Sequence, residues 1–466
     1  MDFRAIIIFL FIYFIRPQDW VMGMSGMNIV RPIMAFAILA MVIRPQKFSP
    51  KSLFRTPHDW AVLAYGIFIV STSPGPAATL SGILALLAFY FVTNQALSDS
   101  SRIATFLAWW IALLLTITAM AVASEHGIDP TDSKDITHKI PEHPRLVLNT
   151  YLFDNPNSLG HTVVLAIPAI YLLLFWKRPF FCRLASLPLI ALAAYCTYLT
   201  QSKGAFLVGA GVIFGGFVFG RPKVVQFVLL ALALTAGTSL VSQLPRMQEL
   251  SKARSNEAIM GRLLAWEIAR TASKENFSGE GWKKFTAMIE FEKKRVEKAT
   301  HSAYVKVGAD LGYGGLFFYI GVLYCCVRSL FQGSFPDSVQ DERSRRILFV
   351  LLLGHILSGW MIDRAYHTEF FLLAAVGGAL HRQRLGLQET TENVQKSPPE
   401  TRRPLRKRHT ATPLQPPPPP TPLASSSGQI AGETQRWLRP GLLDITATVS
   451  GVWIVVAIWD YILKNF

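Results

Sequence analysis

The chain carries apolar blocks that are too long and too many for a water-soluble core to hide. Ile6–Ile15, Ala104–Ala123 and Val224–Val241 are three of them. About 20 apolar residues in a row make a helix that can cross the hydrocarbon layer of a membrane. A helix also satisfies its own backbone N–H and C=O groups, which lipid cannot do. With 51% hydrophobic residues in a chain of 466, any one block could be a buried soluble helix, but the set could not. The pattern predicts helices near 3–15, 28–43, 59–72, 77–92, 104–123, 159–175, 184–200, 204–219, 224–241, 311–328, 346–361 and 366–380. The expected fold class is therefore all-α: a polytopic membrane helix bundle of about 12 spanning helices over residues 1–380. Leu442–Ile462 is apolar again, so residues 443–466 are expected to form a thirteenth membrane helix or an interfacial one.

Charge orients this bundle. With the N-terminus cytoplasmic, the inner connections include 44–58, with Arg44, Lys47, Lys51 and Arg55, and 176–183, with Lys177, Arg178 and Arg183. The outer connection 124–157 instead carries six acids, Asp129 and Asp132 among them, against three basic residues. That asymmetry is the positive-inside bias. The apolar stretch after Asp2 and Arg4 runs into Arg16-Pro17-Gln18 with no small-residue cleavage site, so it is expected to be the first membrane helix. Cys182, Cys196, Cys325 and Cys326 have no metal-ligand spacing and are expected to act as small apolar fillers.

Two polar regions interrupt the pattern. Residues 381–442 include Pro416–Pro420 and Ser425-Ser426-Ser427, and are expected to be a disordered, Pro-rich cytoplasmic tail whose basic residues can meet anionic lipids. Residues 242–306 form a long outer loop with 13 Lys/Arg against eight Asp/Glu. Translocated loops usually avoid basic residues near the membrane, so this excess points to an anionic ligand. Arginine suits phosphate through its planar donor fork. Part of the charge is a solvated face, since Lys293-Lys294-Arg295 lies among Glu290, Glu292 and Glu297.

Arg262 stands apart from that face. Residues 258–272 read as a helix lying on the bundle, capped by Ser255 or Asn256, with Arg262 one turn before Trp266. Gly279-Glu280-Gly281 marks a tight turn, and a second helical stretch is expected from Trp282. The loop closes on His301-Ser302-Ala303-Tyr304, with His301 and Tyr304 expected on one helical face, ahead of Gly308, Gly312, Gly314 and Gly315. Two other polar islands reach the same side. Asp154-Asn155-Pro156-Asn157-Ser158 ends the 124–157 loop, and Thr200-Gln201-Ser202-Lys203-Gly204 forms a short turn. Lys203 there either snorkels to anionic headgroups or faces the same cavity as Arg262.

These islands, in this order at these helix ends, resemble the O-antigen ligase and polymerase superfamily. The Pro156-Asn157 step, the Ser202-Lys203-Gly204 turn, Gly261-Arg262, Gly279–Gly281 and His301-Ser302-Ala303-Tyr304 carry the resemblance. Arg16-Pro17-Gln18-Asp19-Trp20 and Val30-Arg31-Pro32 further resemble the exosortase-A-associated O-glycosylation ligase branch. The resemblance implies a GT-C-like glycosyltransferase in the bacterial inner membrane, with the large loop periplasmic. It implies an undecaprenyl-diphosphate-linked glycan as donor and a glycan, lipid or protein hydroxyl as acceptor. Arg262 and His301 would be catalytic, the first toward the diphosphate and the second toward the acceptor. Lys203, Asn157, Tyr304, Gly279 and Gly281 would line the substrate site. Lys203 replaces an arginine and loses its fork, and Ser302 replaces a frequent asparagine.

Lipid diphosphate is a good leaving group once cations neutralise its growing charge. Asp129, Asp132 and Asp135 alternate without a calcium-loop pattern, so no metal and no other cofactor is expected, and no nucleic-acid partner either. A polymerase that joins repeat units on the same lipid carrier remains an alternative to the ligase. So does a transporter of lipid-linked glycan, although that activity calls for charges spread through the membrane midplane.

Overall fold

A computed structural model describes residues 2–24, 26–27, 29–42, 53–133, 144–222, 224–228, 257–291, 294–332, 335, 338–396 and 437–465. The first part of the bundle comprises α1 (Asp2–Ile15), α2 (Pro17–Trp20), α3 (Val30–Val42), α4 (Pro57–Thr72), α5 (Pro76–Ala96) and α6 (Ser100–Glu125). Next come α7 (Pro156–Val163) and α8 (Ala166–Ile170), which runs on into a π-helical turn at Tyr171–Phe175, then α9 (Phe180–Leu199) and α10 (Lys203–Val218). The outer loop supplies α11 (Glu257–Glu275) and a hairpin of β1 (Ala287–Phe291) and β2 (Lys294–Lys298). The chain re-enters the bundle as α12 (Ala303–Phe331), α13 (Val339–Ser358), α14 (Thr368–Lys396) and α15 (Leu442–Asn465).

Sequence cues explain where several of these helices begin. Thr56 and Asp59 form a capping box ahead of Pro57, Asn155 caps α7 ahead of Pro156, and Pro76 occupies the first turn of α5. The expectation of about twelve or thirteen spanning helices is corrected by helix length and charge. Among the described residues six helices are long and apolar enough to cross a membrane: Pro76–Ala96, Ser100–Glu125, Pro156–Phe175, Phe180–Leu199, Ala303–Phe331 and Leu442–Asn465.

The shortfall has simple causes. Helices α1, α3, α4 and α10 have 14, 13, 16 and 16 residues. At 1.5 Å per residue, 16 residues rise about 24 Å, less than a hydrocarbon layer of about 30 Å. Helix α13 has the length but places Asp341, Glu342, Arg343, Arg345 and Arg346 in its first half. Most of the expected helix at 224–241 lies outside the described residues. Six spans still make the chain a multi-pass membrane protein. Helix α14 continues to Lys396, through the first part of the segment read as a tail.

Helix α12 is the centre of the packing and touches α4, α11, α14 and α15. Tyr65, Trp110, Tyr319 and Phe370 are buried in the main core. A second, outer core joins Ala265, Trp266 and Ala269 of α11, Phe285, Ala287 and Ile289, Val305 and Ala309 of α12, and Trp459 of α15. The expected helix from Trp282 is absent. In its place Ala287 pairs with Lys298 and Ile289 with Val296 in an antiparallel hairpin. Its period is two: Ala287 and Ile289 are buried while Met288 is exposed.

The loop is seated on a break in α12. Gly312 leaves the helical conformation, with φ 62° and ψ −164°. The carbonyl of Asp310 accepts from Gly281 N at 2.7 Å, that of Ala309 from Glu280 N at 3.3 Å, and Gly314 N donates to Phe277 O at 3.3 Å. Loop and helix thus exchange the backbone bonds that the break sets free. Neither Gly279, at φ 69°, nor Gly312 has room for a side chain: a Cβ on the first meets the Asp310–Leu311 peptide, and on the second the carbonyl of Phe277. Gly279→Ala is expected to destabilise the protein by more than about 1 kcal/mol and to open the 257–298 loop to protease. An unchanged melting temperature and cleavage pattern in detergent would contradict this seating.

Candidate functional site

The candidate site is assembled where the ends of α7, α10, α11, α12 and α13 meet. Asn157 is its hub. Its side-chain carbonyl accepts from Arg145 Nη2 at 2.9 Å and from the Ser202 hydroxyl at 2.9 Å. Arg145 also donates to Thr200 O at 3.0 Å. Ser202 in turn caps α10, so the Pro-Asn step and the Thr200–Gly204 turn form one unit. Lys203 opens α10 half-buried beside this unit. A Cβ on Gly204 would stand 2.7 Å from His161 Nε2, so the turn packs directly on α7.

His301 sits at a junction held on both sides. Before it, Thr300 O accepts from Trp266 Nε1 of α11 at 2.7 Å. After it, Ser302 caps α12 and its hydroxyl donates to Gly359 O at 3.0 Å, while Ala303 N bonds the same carbonyl at 2.7 Å. Between these anchors His301 adopts φ 48°, a left-handed conformation uncommon for a side-chain-bearing residue. Such strain persists where the surroundings over-determine it, often at functional sites. His301 lies outside α12, so the helical spacing expected to align it with Tyr304 does not apply. Tyr304 is buried, lies with its ring tilted against that of Trp360 at 4.9 Å, and donates its hydroxyl to Ile356 O at 2.8 Å.

Arg262 lies on α11 one turn before Trp266, half-buried. Burial lowers its affinity for its proton. Burial and the Arg262 charge together hold His301 down at about 4, below the usual histidine range. Arg262 thus stands near enough to His301 for its charge to disfavour the protonated imidazole. Gly279 and Gly281 instead lie buried against α12 and Pro74.

Several residues of this site carried no signal of their own in the sequence. Arg145 was one of three basic residues in an acidic loop. Arg364 is buried, donates to Ser158 O at 2.8 Å and to Thr162 Oγ1 at 2.6 Å, and pairs with Glu369 at 2.9 Å. Asp363 beside it has its carboxyl pushed up to about 6 by burial. The available clue was density: Asp363, Arg364, His367 and Glu369 crowd one short outer connection. Among the described residues no group of three His, Cys, Asp or Glu stands close enough to hold a metal ion. Asp135 lies outside the described residues.

The histidine signal, assigned by its loss in His301→Gln, should titrate near 4 by NMR rather than near the ordinary value of about 6.5. Replacing Arg262 by alanine should move that midpoint up, because a like charge disfavours protonation. A midpoint at the ordinary value in the parent protein would remove Arg262 from the neighbourhood of His301.

Comparison with curated proteins finds no match for this chain. Residues 188–320, from α9 through the outer loop into α12, match the O-antigen ligase family, so a domain of that family is present around Lys203, Arg262 and His301.

Proposed function

We propose that the protein transfers a glycan from an undecaprenyl-diphosphate-linked donor to an acceptor hydroxyl at the extracytoplasmic face of the bacterial inner membrane. The carrying observation is that the ligase-family match encloses the half-buried Arg262 and the uncharged His301. The acceptor oxygen attacks the anomeric carbon as the bond from that carbon to the phosphate oxygen breaks. The diphosphate leaves with the electron pair, and a single displacement inverts the anomeric centre. Arg262 meets the growing charge with a bidentate fork, and Lys203 adds a point charge without a fork. His301, neutral near pH 7, fixes the hydroxyl's direction and accepts its proton as the new bond forms. Arg16-Pro17-Gln18-Asp19-Trp20 supports assignment to the O-glycosylation ligase branch. In this motif Asp19 pairs with Arg16 at 2.5 Å and accepts from Tyr151 N at 2.8 Å, tying the outer end of α1 to the segment before Asn157.

The test is reconstitution of the purified protein with undecaprenyl-diphosphate glycan and candidate acceptors, with and without chelator. Arg262→Ala should lower turnover by about 10²–10³-fold and weaken donor capture. His301→Ala should slow transfer by about 10²–10⁴-fold and leave donor binding intact. Lys203→Arg should be tolerated, while Lys203→Ala should raise the donor requirement. A single-length product identifies a ligase, a ladder identifies a polymerase, and donor translocation without transfer would overturn both. Chelator sensitivity would contradict a metal-free reaction.

The proposed orientation has its own measurement. In a background lacking the native cysteines, exposed Lys274→Cys should react with an impermeant thiol reagent in intact cells, and exposed Arg221→Cys only after permeabilisation. Ser273 beside it is buried and would make a poor reporter. Labelling of both from one side rejects the orientation.

A further inference from the structure

We infer that Asp460, on the last helix of the chain, is a positioning residue for Arg262 and acts through Arg270. The inference deepens the proposed role of Arg262 and rests on that reading.

Arg270 is buried, with 7% of its surface exposed, in a protein where an arginine at a water-facing loop helix could reach solvent. Its guanidinium grips the Asp460 carboxylate with both arms, Nε to Oδ1 at 2.7 Å and Nη2 to Oδ2 at 2.9 Å. Its remaining arm donates to the Tyr313 hydroxyl of α12. The same guanidinium lies 5.7 Å from the ring of Tyr313 and 5.7 Å from that of Trp459. Trp459 itself is fully buried in the outer core against α11 and α12. A bidentate fork between two ring systems fixes both the height and the rotation of the helix that carries it.

The other end of α15 is pinned as well. Asp444 pairs with Arg328 and accepts from Tyr324 Oη at 3.0 Å, Trp437 Nε1 at 2.9 Å and Gly441 N at 2.7 Å. With both ends held, α15 cannot slide along its axis, and Asp460 presents a fixed point to α11.

Helical periodicity carries that fixed point to the site. Arg262, Trp266 and Arg270 are spaced i, i+4, i+8, and so share one stripe of α11. Arg270 lies about 12 Å from Arg262 along the axis. Midway, Trp266 bonds Thr300, the residue before His301. One face of α11 therefore carries the α15 latch at Arg270, the bond to the residue before His301 at Trp266, and Arg262. A shift of about 1 Å in a charge-positioning group can cost about 10²-fold in rate, so the register set by Arg270 matters to Arg262. Helix α15 lies outside the 188–320 match, and Asp460 becomes a part of the site that the ligase-family region does not supply.

The test reads Arg262 without relying on transfer. The NMR titration of His301 reports the distance of the Arg262 charge. Asp460→Ala should raise the His301 midpoint by about 0.5 unit or more, and should add nothing in an Arg262→Ala background, a non-additive cycle. Asp460→Asn, which keeps shape and loses the ion pair, guards against simple misfolding and should shift in the same direction. The reversed pair Arg270→Asp with Asp460→Arg should bring the midpoint back. A midpoint that does not move in Asp460→Ala or Asp460→Asn overturns the inference, as does an equal shift with Arg262 already removed. Binding of an undecaprenyl-diphosphate oligosaccharide is measured alongside and should weaken about tenfold in Asp460→Ala, a modest version of the cost of a misplaced group. If Arg262→Ala leaves that binding unchanged while the His301 midpoint still follows Asp460, the proposed donor role fails and the positioning role stands.

Discussion

The candidate site depends on the seating of the Asn276–Gly281 turn against the break in α12. The break frees backbone groups that lipid could not satisfy, and the turn satisfies them with its own N–H and C=O groups. Because the contact is backbone on backbone, it tolerates no side chain at Gly279 or Gly312. The loop is thereby held to the bundle at its middle, while α11 and the Thr300–Ser302 junction hold its ends. The described part of the polar insertion is thus packed onto the bundle, and Arg262 and His301 are carried by that packed segment.

The electrostatics follow from the same closeness. Arg262 is drawn partly out of water, which makes its charge act over a longer reach. That charge, with burial, keeps His301 neutral. In the proposed displacement the pair would separate two tasks: a permanent cation for the departing anion and an uncharged imidazole for the incoming hydroxyl. Arg145 and Arg364 do different work. Each spends its fork on carbonyls and side chains of α7 and its neighbours, so they hold the framework together.

The legible part of the sequence was the part written in local chemistry. Apolar blocks announced a membrane protein, Pro156 and Thr56-Pro57 marked helix starts, and the polar islands lay at the helix ends they were expected to occupy. Arg262 one turn before Trp266 was readable because a helical period needs only a few residues. The number of spanning helices was misjudged because the apolar runs of α1, α3, α4 and α10 make helices of 16 residues or fewer, too short for a hydrocarbon layer of about 30 Å. Alternating residues at 287–298 were missed because charged strands in a basic loop resemble a solvated helix. Arg145, Arg364 and Asp363 stayed invisible for a deeper reason: their partners are far away in the chain, and only the fold brings Arg364 to Ser158 or Arg145 to Asn157. Tyr304 is a motif position of the same kind, since its hydroxyl finds its partner at Ile356 O, far away in the chain.

The pinned ends of α15 bear on the lipid as well as on the protein. Asp444 and Asp460 are separated by about 24 Å of helix, a little less than the hydrocarbon thickness of an ordinary bilayer. Between them the helix turns Val449, Trp453 and Ile454 outward, exposed at 53%, 72% and 52%. A bilayer that thickens or thins therefore works against two fixed anchors and must be met by tilt or by deformation of the lipid. That tilt or deformation falls on the one helix whose far carboxylate holds Arg270.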